Sequence, residues 1–152
     1  MSVELPFAPV DAVIRRNAGS LRVSADAAEE LARRIQVRGA ALAGEAAERA
    51  TAEDRKTLMA ADFETGNEEG TRNGGPPVTK EALTLPVAPV DRIARLDIDD
   101  RYRVSMDARV VLADVLESYA DEVAASAAIL ARHAGRRTIT AEDVETYFAL
   151  LE

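Results

Sequence analysis

The chain has 152 residues and carries 19 Lys and Arg against 27 Asp and Glu, a formal charge of −8. That is the wrong sign for a conventional nucleic-acid binder, and since only Lys56 and Lys80 are lysines, the Arg-, Ala- and carboxylate-rich composition reads as adaptation to concentrated salt. No cysteine is present, which excludes a disulfide framework, a thiolate metal site and a cysteine nucleophile.

The chain opens on a segment that it later repeats: LPFAPVD at 5–11 returns as LPVAPVD at 85–91, an offset of 80. The second copy then gains one residue. At an offset of 81, RVS at 22–24 aligns with RVS at 103–105, RKT at 55–57 with RRT at 136–138, and Asp62-Phe63-Glu64-Thr65 with Asp143-Val144-Glu145-Thr146. A self-match of this length marks two copies of one structural unit.

Within the first copy, Pro9 suits the opening turn of a short helix running to about Arg16. Ser24 is a natural N-cap for a long helix over residues 25–52, whose apolar stripe is Leu31, Ile35, Leu42, Ala46 and Ala50. A third helix from Met59 to about Thr65 is cut short by Gly66. Residues 66–80, GNEEGTRNGGPPVTK, offer Gly freedom and a Pro pair that forbids helix, so 67–84 is assigned as a linker between units 1–66 and 85–152. The second copy repeats the order. Pro89 opens a short helix to about Leu96, and Ser105 caps a long helix over 106–133 with the stripe Leu112, Val115, Leu116, Tyr119, Val123, Ala127 and Leu130. Thr140 with Asp143 three residues on forms a capping-box pattern before Val144, Tyr147, Phe148, Leu150 and Leu151.

A single unit of this kind has one amphipathic rod and little to bury it against, so it should not fold alone. Two units with crossed long helices can share a core. The expectation is therefore an all-α chain of two tandem short-long-short units forming one intramolecular pair.

LPVAPVDRI at 85–93, RVSMDAR at 103–109 and LARHAGRRTITAEDVE at 130–145 resemble the archaeal histones, in the fused two-unit form of salt-loving archaea. The first copy is more divergent, with ATAED at 50–54 where the second has ARHAG. The resemblance implies two tandem histone folds in a handshake pseudo-dimer that contacts double-stranded DNA without a strict base code. It places Arg22 with Arg136, Arg137 and Thr138 at one end, and Arg103 with Arg55, Lys56 and Thr57 at the other. A central contact would use the N-termini of the first helices with Arg92, Arg95 and Arg15. Helix N-termini and loop amides bind phosphate, and arginine can enter an inward-facing minor groove. The position matching Arg92 is Ala12 in the first copy, and neither unit is basic overall, so attraction must come from local clusters.

Arg55 with Asp62 and Arg136 with Asp143, each seven residues apart, are expected to clamp a loop to the last helix. The resemblance further implies that Leu130, His133 and Asp143 join such pairs end to end; the first copy has Arg49, Ala52 and Asp62 there, so only the second unit should self-associate. One histidine and no cysteine leave no zinc site, and no phosphate-binding Gly loop or acid/base constellation is present, so no cofactor, small-molecule substrate or enzyme activity is expected. Without a signal-peptide pattern or an apolar run near the ~20 residues that span a bilayer, the expectation is a cytoplasmic, chromosome-associated protein. The rival readings are a protein-interaction or transcription-regulatory module that has given up DNA, and, ranked lower for want of a recognition helix, a sequence-selective regulator.

Overall fold

The computed structural model describes residues 3–64 and 79–152. Among the described residues six α-helices follow one another: α1 (Phe7–Arg16), α2 (Ala25–Ala52), α3 (Ala60–Glu64), α4 (Val87–Ala94), α5 (Met106–His133) and α6 (Ala141–Leu151). Each short helix lies against both long ones, so the two halves share a single core. This is the all-α intramolecular pair expected from the repeat. The 14 residues 65–78, which hold most of the assigned linker and the expected end of the third helix, lie outside the described residues. Leu83, within the stretch assigned to the linker, packs against the core.

The long helices begin where their caps dictate. Ser24 Oγ accepts the Ala27 amide and Ser105 Oγ accepts the Ala108 amide. The large stripe residues Leu31, Ile35, Leu112 and Leu116 are buried, yet Leu42, Val115, Tyr119 and Leu130 are only half-buried. Alanines fill much of the rest of the contact, among them Ala43, Ala46, Ala50, Ala120, Ala124 and Ala127. Small residues are required because the helices cross closely: a β-carbon on Gly39 would lie 2.7 Å from Ile93 Cγ2 of α4 and 3.0 Å from Leu116 Cδ1 of α5.

Two short helices deviate from expectation. α4 stops at Ala94, short of the expected end at about Leu96: Arg95 is its C-cap and Leu96 beyond it is exposed. α3 starts at Ala60 instead of Met59, whose amide is taken by the Asp62 carboxylate at 2.7 Å.

The segments before α1 and α4 are pinned by polar groups that the apolar pattern does not reveal. Gln36 Oε1 accepts the Glu4 amide at 2.7 Å, and at the equivalent place in α5 Glu117 Oε1 accepts the amides of Thr84 and Leu85 at 2.7 and 2.9 Å. Arg16 crosses from α1 to pair with Glu117 and Asp121, tying the first half to the second. These hydrogen bonds and ion pairs hold the Arg16 guanidinium well above its ordinary range, against the opposing effect of burial.

Candidate nucleic-acid interface

Each long helix ends in the same chain reversal. After α2, the Asp54 amide returns to the Thr51 carbonyl and the Arg55 amide to Ala50; after α5, Gly135 returns to Arg132 and Arg136 to Ala131. This paired closure requires a left-handed residue, supplied by Gly135 (φ 76°) in one copy and by Asp54 (φ 61°) in the other. The triplets Arg55-Lys56-Thr57 and Arg136-Arg137-Thr138 emerge directly from these reversals.

Two short strand pairs then bring the loops of opposite halves together. β1 (Arg22–Val23) runs parallel to β4 (Thr138–Ile139), with the Arg22 amide on the Arg137 carbonyl at 2.8 Å. β2 (Thr57–Leu58) runs parallel to β3 (Arg103–Val104), with the Arg103 amide on the Lys56 carbonyl at 2.8 Å. Thus Arg22 stands beside Arg136, Arg137 and Thr138 at one end, and Arg103 beside Arg55, Lys56 and Thr57 at the other. Nothing in the sequence marks these strands, since a two-residue pairing leaves no periodic signal.

The cations at these ends divide into two kinds. Arg55 donates to both carboxylate oxygens of Asp62, at 2.9 and 3.0 Å, and to the Thr57 carbonyl. Arg136 does the same with Asp143 and the Thr138 carbonyl. Asp62 and Asp143 are 4% and 2% exposed, so the two arginines serve buried carboxylates and shape their loops. The Arg55 hydrogen bond, opposed by burial and aided by the Met59 amide, holds the Asp62 carboxyl below its usual range. For Asp143, burial pushes upward most strongly, but the Arg136 and Thr140 hydrogen bonds together outweigh it and the carboxyl is again lowered. By contrast Arg22, Lys56, Arg103 and Arg137 are exposed and their side chains carry no ion pair, hydrogen bond or ring contact among the described residues.

At the centre the arginines are all engaged. Arg15 pairs with Asp11 at 2.6 Å, Arg92 with Glu4 at 2.9 Å and Arg95 with Asp91 at 3.1 Å, while Arg109, not singled out by the sequence, also reaches Asp91 at 3.2 Å. α1 and α4 start behind Pro6 and Pro86 with no acidic residue in the first turn. Of the three residues assigned to end-to-end joining, His133 is exposed and Leu130 half-buried, whereas Asp143 is committed to Arg136 and the Thr140 cap. The matching surface of the first copy holds Arg49, bound to the Asp62 carbonyl. Among the described residues, no helix is long and apolar enough to cross a membrane.

The chain matches twice the family described as histone-like transcription factor (CBF/NF-Y) and archaeal histone, over residues 3–65 and 83–146. The archaeal histone HAN1 of Thermococcus zilligii is 53% identical over 60 residues, which make up 40% of this chain and 87% of that protein. The solved histone from Methanopyrus kandleri is similar with a TM-score of 0.67 at 26% identity, covering 93% of this chain and 91% of that one. A protein of known structure from Thermus thermophilus reaches the same TM-score at 17% identity over 98% of this chain and 99% of its own, a likeness of fold alone.

Proposed function

Because the chain belongs to the family of histone-like transcription factors (CBF/NF-Y) and archaeal histones, we propose that it binds double-stranded DNA through the two loop pairs, as a chromosome-associated protein of the fused two-unit kind. Its family is one of structural DNA-binding proteins and not of enzymes. One observation carries the reading: Arg22 with Arg137, and Arg103 with Lys56, are cations without an ion-pair partner among the described residues, gathered at the two ends of an otherwise acidic molecule. Phosphate is the ligand such groups fit, with loop amides and minor-groove entry of arginine completing the contact. None of these groups sits on a base-reading helix, so selectivity is weak and follows the ease of bending, and any effect on transcription is exerted by occupancy. The ends carry most of the affinity, because Arg15, Arg92 and Arg95 would have to leave carboxylates before reaching a phosphate.

A titration of duplex DNA at several salt concentrations tests this, comparing the natural chain with Arg22→Ala plus Arg103→Ala. The expected result is weaker binding and a salt slope shallower by about two. Unchanged binding refutes the loop-pair reading and leaves the protein-interaction module as the better account. We also propose that the second half joins a second chain end to end through Leu130 and His133, with Arg49 and Ala52 unable to do so in the first half; that surface pairs two chains and no more.

A further inference from the structure

A second face of the molecule is built for contact. The sides of α2 and α5 that bury Gly39 and Ala120 meet the crossing; Arg33, Arg34, Val37, Arg38 and Ala41 lie on the opposite side of α2, away from Ile93 and Leu116. They border a shallow groove of about 490 Å³ that Tyr119 and Phe148 complete. Arg34 lies 4.4 Å over the Phe148 ring and Arg38 5.5 Å over Tyr119, so both guanidinium groups are held in place on aromatic faces.

α6 borders this groove. The Asp26 carboxylate accepts the Ala141 amide at the start of α6 at 3.1 Å, and Phe148 lies under Arg34, so α6 runs beside α2 in the same direction. With both helices rising about 1.5 Å per residue, Leu151 comes level with Val37 and Arg38. Val37, Leu150 and Leu151 are 67%, 68% and 65% exposed, among the most exposed large apolar side chains described. Apolar surface gathered in this way, rimmed by charge, marks a contact site.

We propose that this α2–α6 face binds a second copy of the chain, by a twofold contact separate from the loop pairs and from the end surface at His133. The face is complementary to itself. A twofold axis lying between α2 and α6 and parallel to them sets the end of each α6 on the partner's α2 at the same level. Leu151 and Glu152 of each copy then meet the partner's Val37 and Arg38, apolar on apolar and carboxylate on guanidinium. A contact that repeats itself under the twofold joins two chains through this face and leaves the end surface of each copy free. A second duplex is the poorer occupant, because Glu30 already takes Arg33 and Arg34 and the exposed centre is aliphatic.

Sedimentation velocity of the full chain without DNA, over a range of concentrations, tests the proposal. In a His133→Glu chain, whose end surface is disabled, dimers should still form, and adding either Val37→Glu or Leu151→Glu should raise the dissociation constant by about tenfold or more. Both positions are exposed, so helical content and the unfolding midpoint should hold; if one variant misfolds, the other still decides. Ile129→Glu, at an exposed apolar position of α5 off this face, should leave that dimer intact in the same background. A monomer at every concentration in the His133→Glu chain overturns the proposal, as does loss of the dimer in Ile129→Glu with no loss in Val37→Glu. Val37→Glu failing only in DNA binding would assign the face to a second duplex and would overturn it as well.

Discussion

At Gly39 an added methyl group would stand 2.7 Å from Ile93 Cγ2 and 3.0 Å from Leu116 Cδ1. Ile93 is fully buried, and its Cγ2 branches at the β-carbon, where a helix leaves χ1 almost no freedom, so the clash cannot be relieved by a swing of the side chain. Overpacking of this kind costs about 1–3 kcal/mol. Alanine in place of glycine within a helix returns about 1 kcal/mol. Gly44 lies on the same helix, and a methyl there meets nothing within 4 Å, so Gly44→Ala should show the helical gain alone. Urea unfolding of the two variants, compared at equal m values, should therefore place Gly39→Ala below Gly44→Ala by about 1–3 kcal/mol. Ile93→Leu moves the branch from the β- to the γ-carbon and should recover part of the deficit in the Gly39→Ala background. Equal stabilisation by the two alanines would refute the claim that α2, α4 and α5 meet in van der Waals contact at this point.

Asp54 adopts the left-handed conformation that its counterpart Gly135 adopts without a β-carbon, so Asp54→Gly should stabilise the fold by about 0.5–1 kcal/mol, read as a rise in unfolding midpoint, whereas Gly135→Asp should lower it. Asp62 and Asp143 have folded-state pKa values below their ordinary ones, so the stability they confer is present above about pH 4 and lost as pH falls through the folded values. The melting temperature should fall over that window, and Asp143→Asn should flatten the dependence while lowering the plateau; an unchanged acid limb would show that the clamps do not govern it.

The repeat made the architecture legible. Because RVS, the Arg-containing triplets and the Asp62 and Asp143 positions recur at one offset, the helix order and the sharing of a core followed from the chain alone, and the serine caps located the starts of both long helices. What stayed hidden depends on contacts between distant residues. The strand pairs join Arg22 to Thr138 and Thr57 to Arg103 over two residues each, too short to impose alternation. Gln36 and Glu117 look like solvated helix positions until Glu4, Thr84 and Leu85 present amides to them. The apolar stripes include Ala46, Ala50 and Ala127 beside the large side chains, but the close crossing also buries Gly39, Ala43, Ala120 and Ala124, small residues that carry little periodic weight of their own. For the candidate interface, residue type identified the arginines, yet only their carboxylate partners separate Arg22, Arg103 and Arg137 from Arg15, Arg92 and Arg95.

On the proposed reading, that separation bears on how an acidic chain would hold DNA as salt rises. A binder that neutralises six to ten phosphates loses about three to five orders of magnitude in affinity between about 50 and 200 mM salt, because each contact releases counterions. With four unpaired cations at the loop pairs among the described residues, the corresponding loss is about two orders of magnitude. Arginines such as Arg16, Arg34, Arg55 and Arg136 sit on carboxylates or aromatic rings, where they stabilise the fold and release no counterion on binding. A chain of this design starts from lower affinity in dilute buffer and forfeits less of it as salt rises. Its surplus carboxylates then keep the surface hydrated without opposing the few contacts that matter, since fields from exposed charges more than about 10 Å away are screened even at 0.1 M.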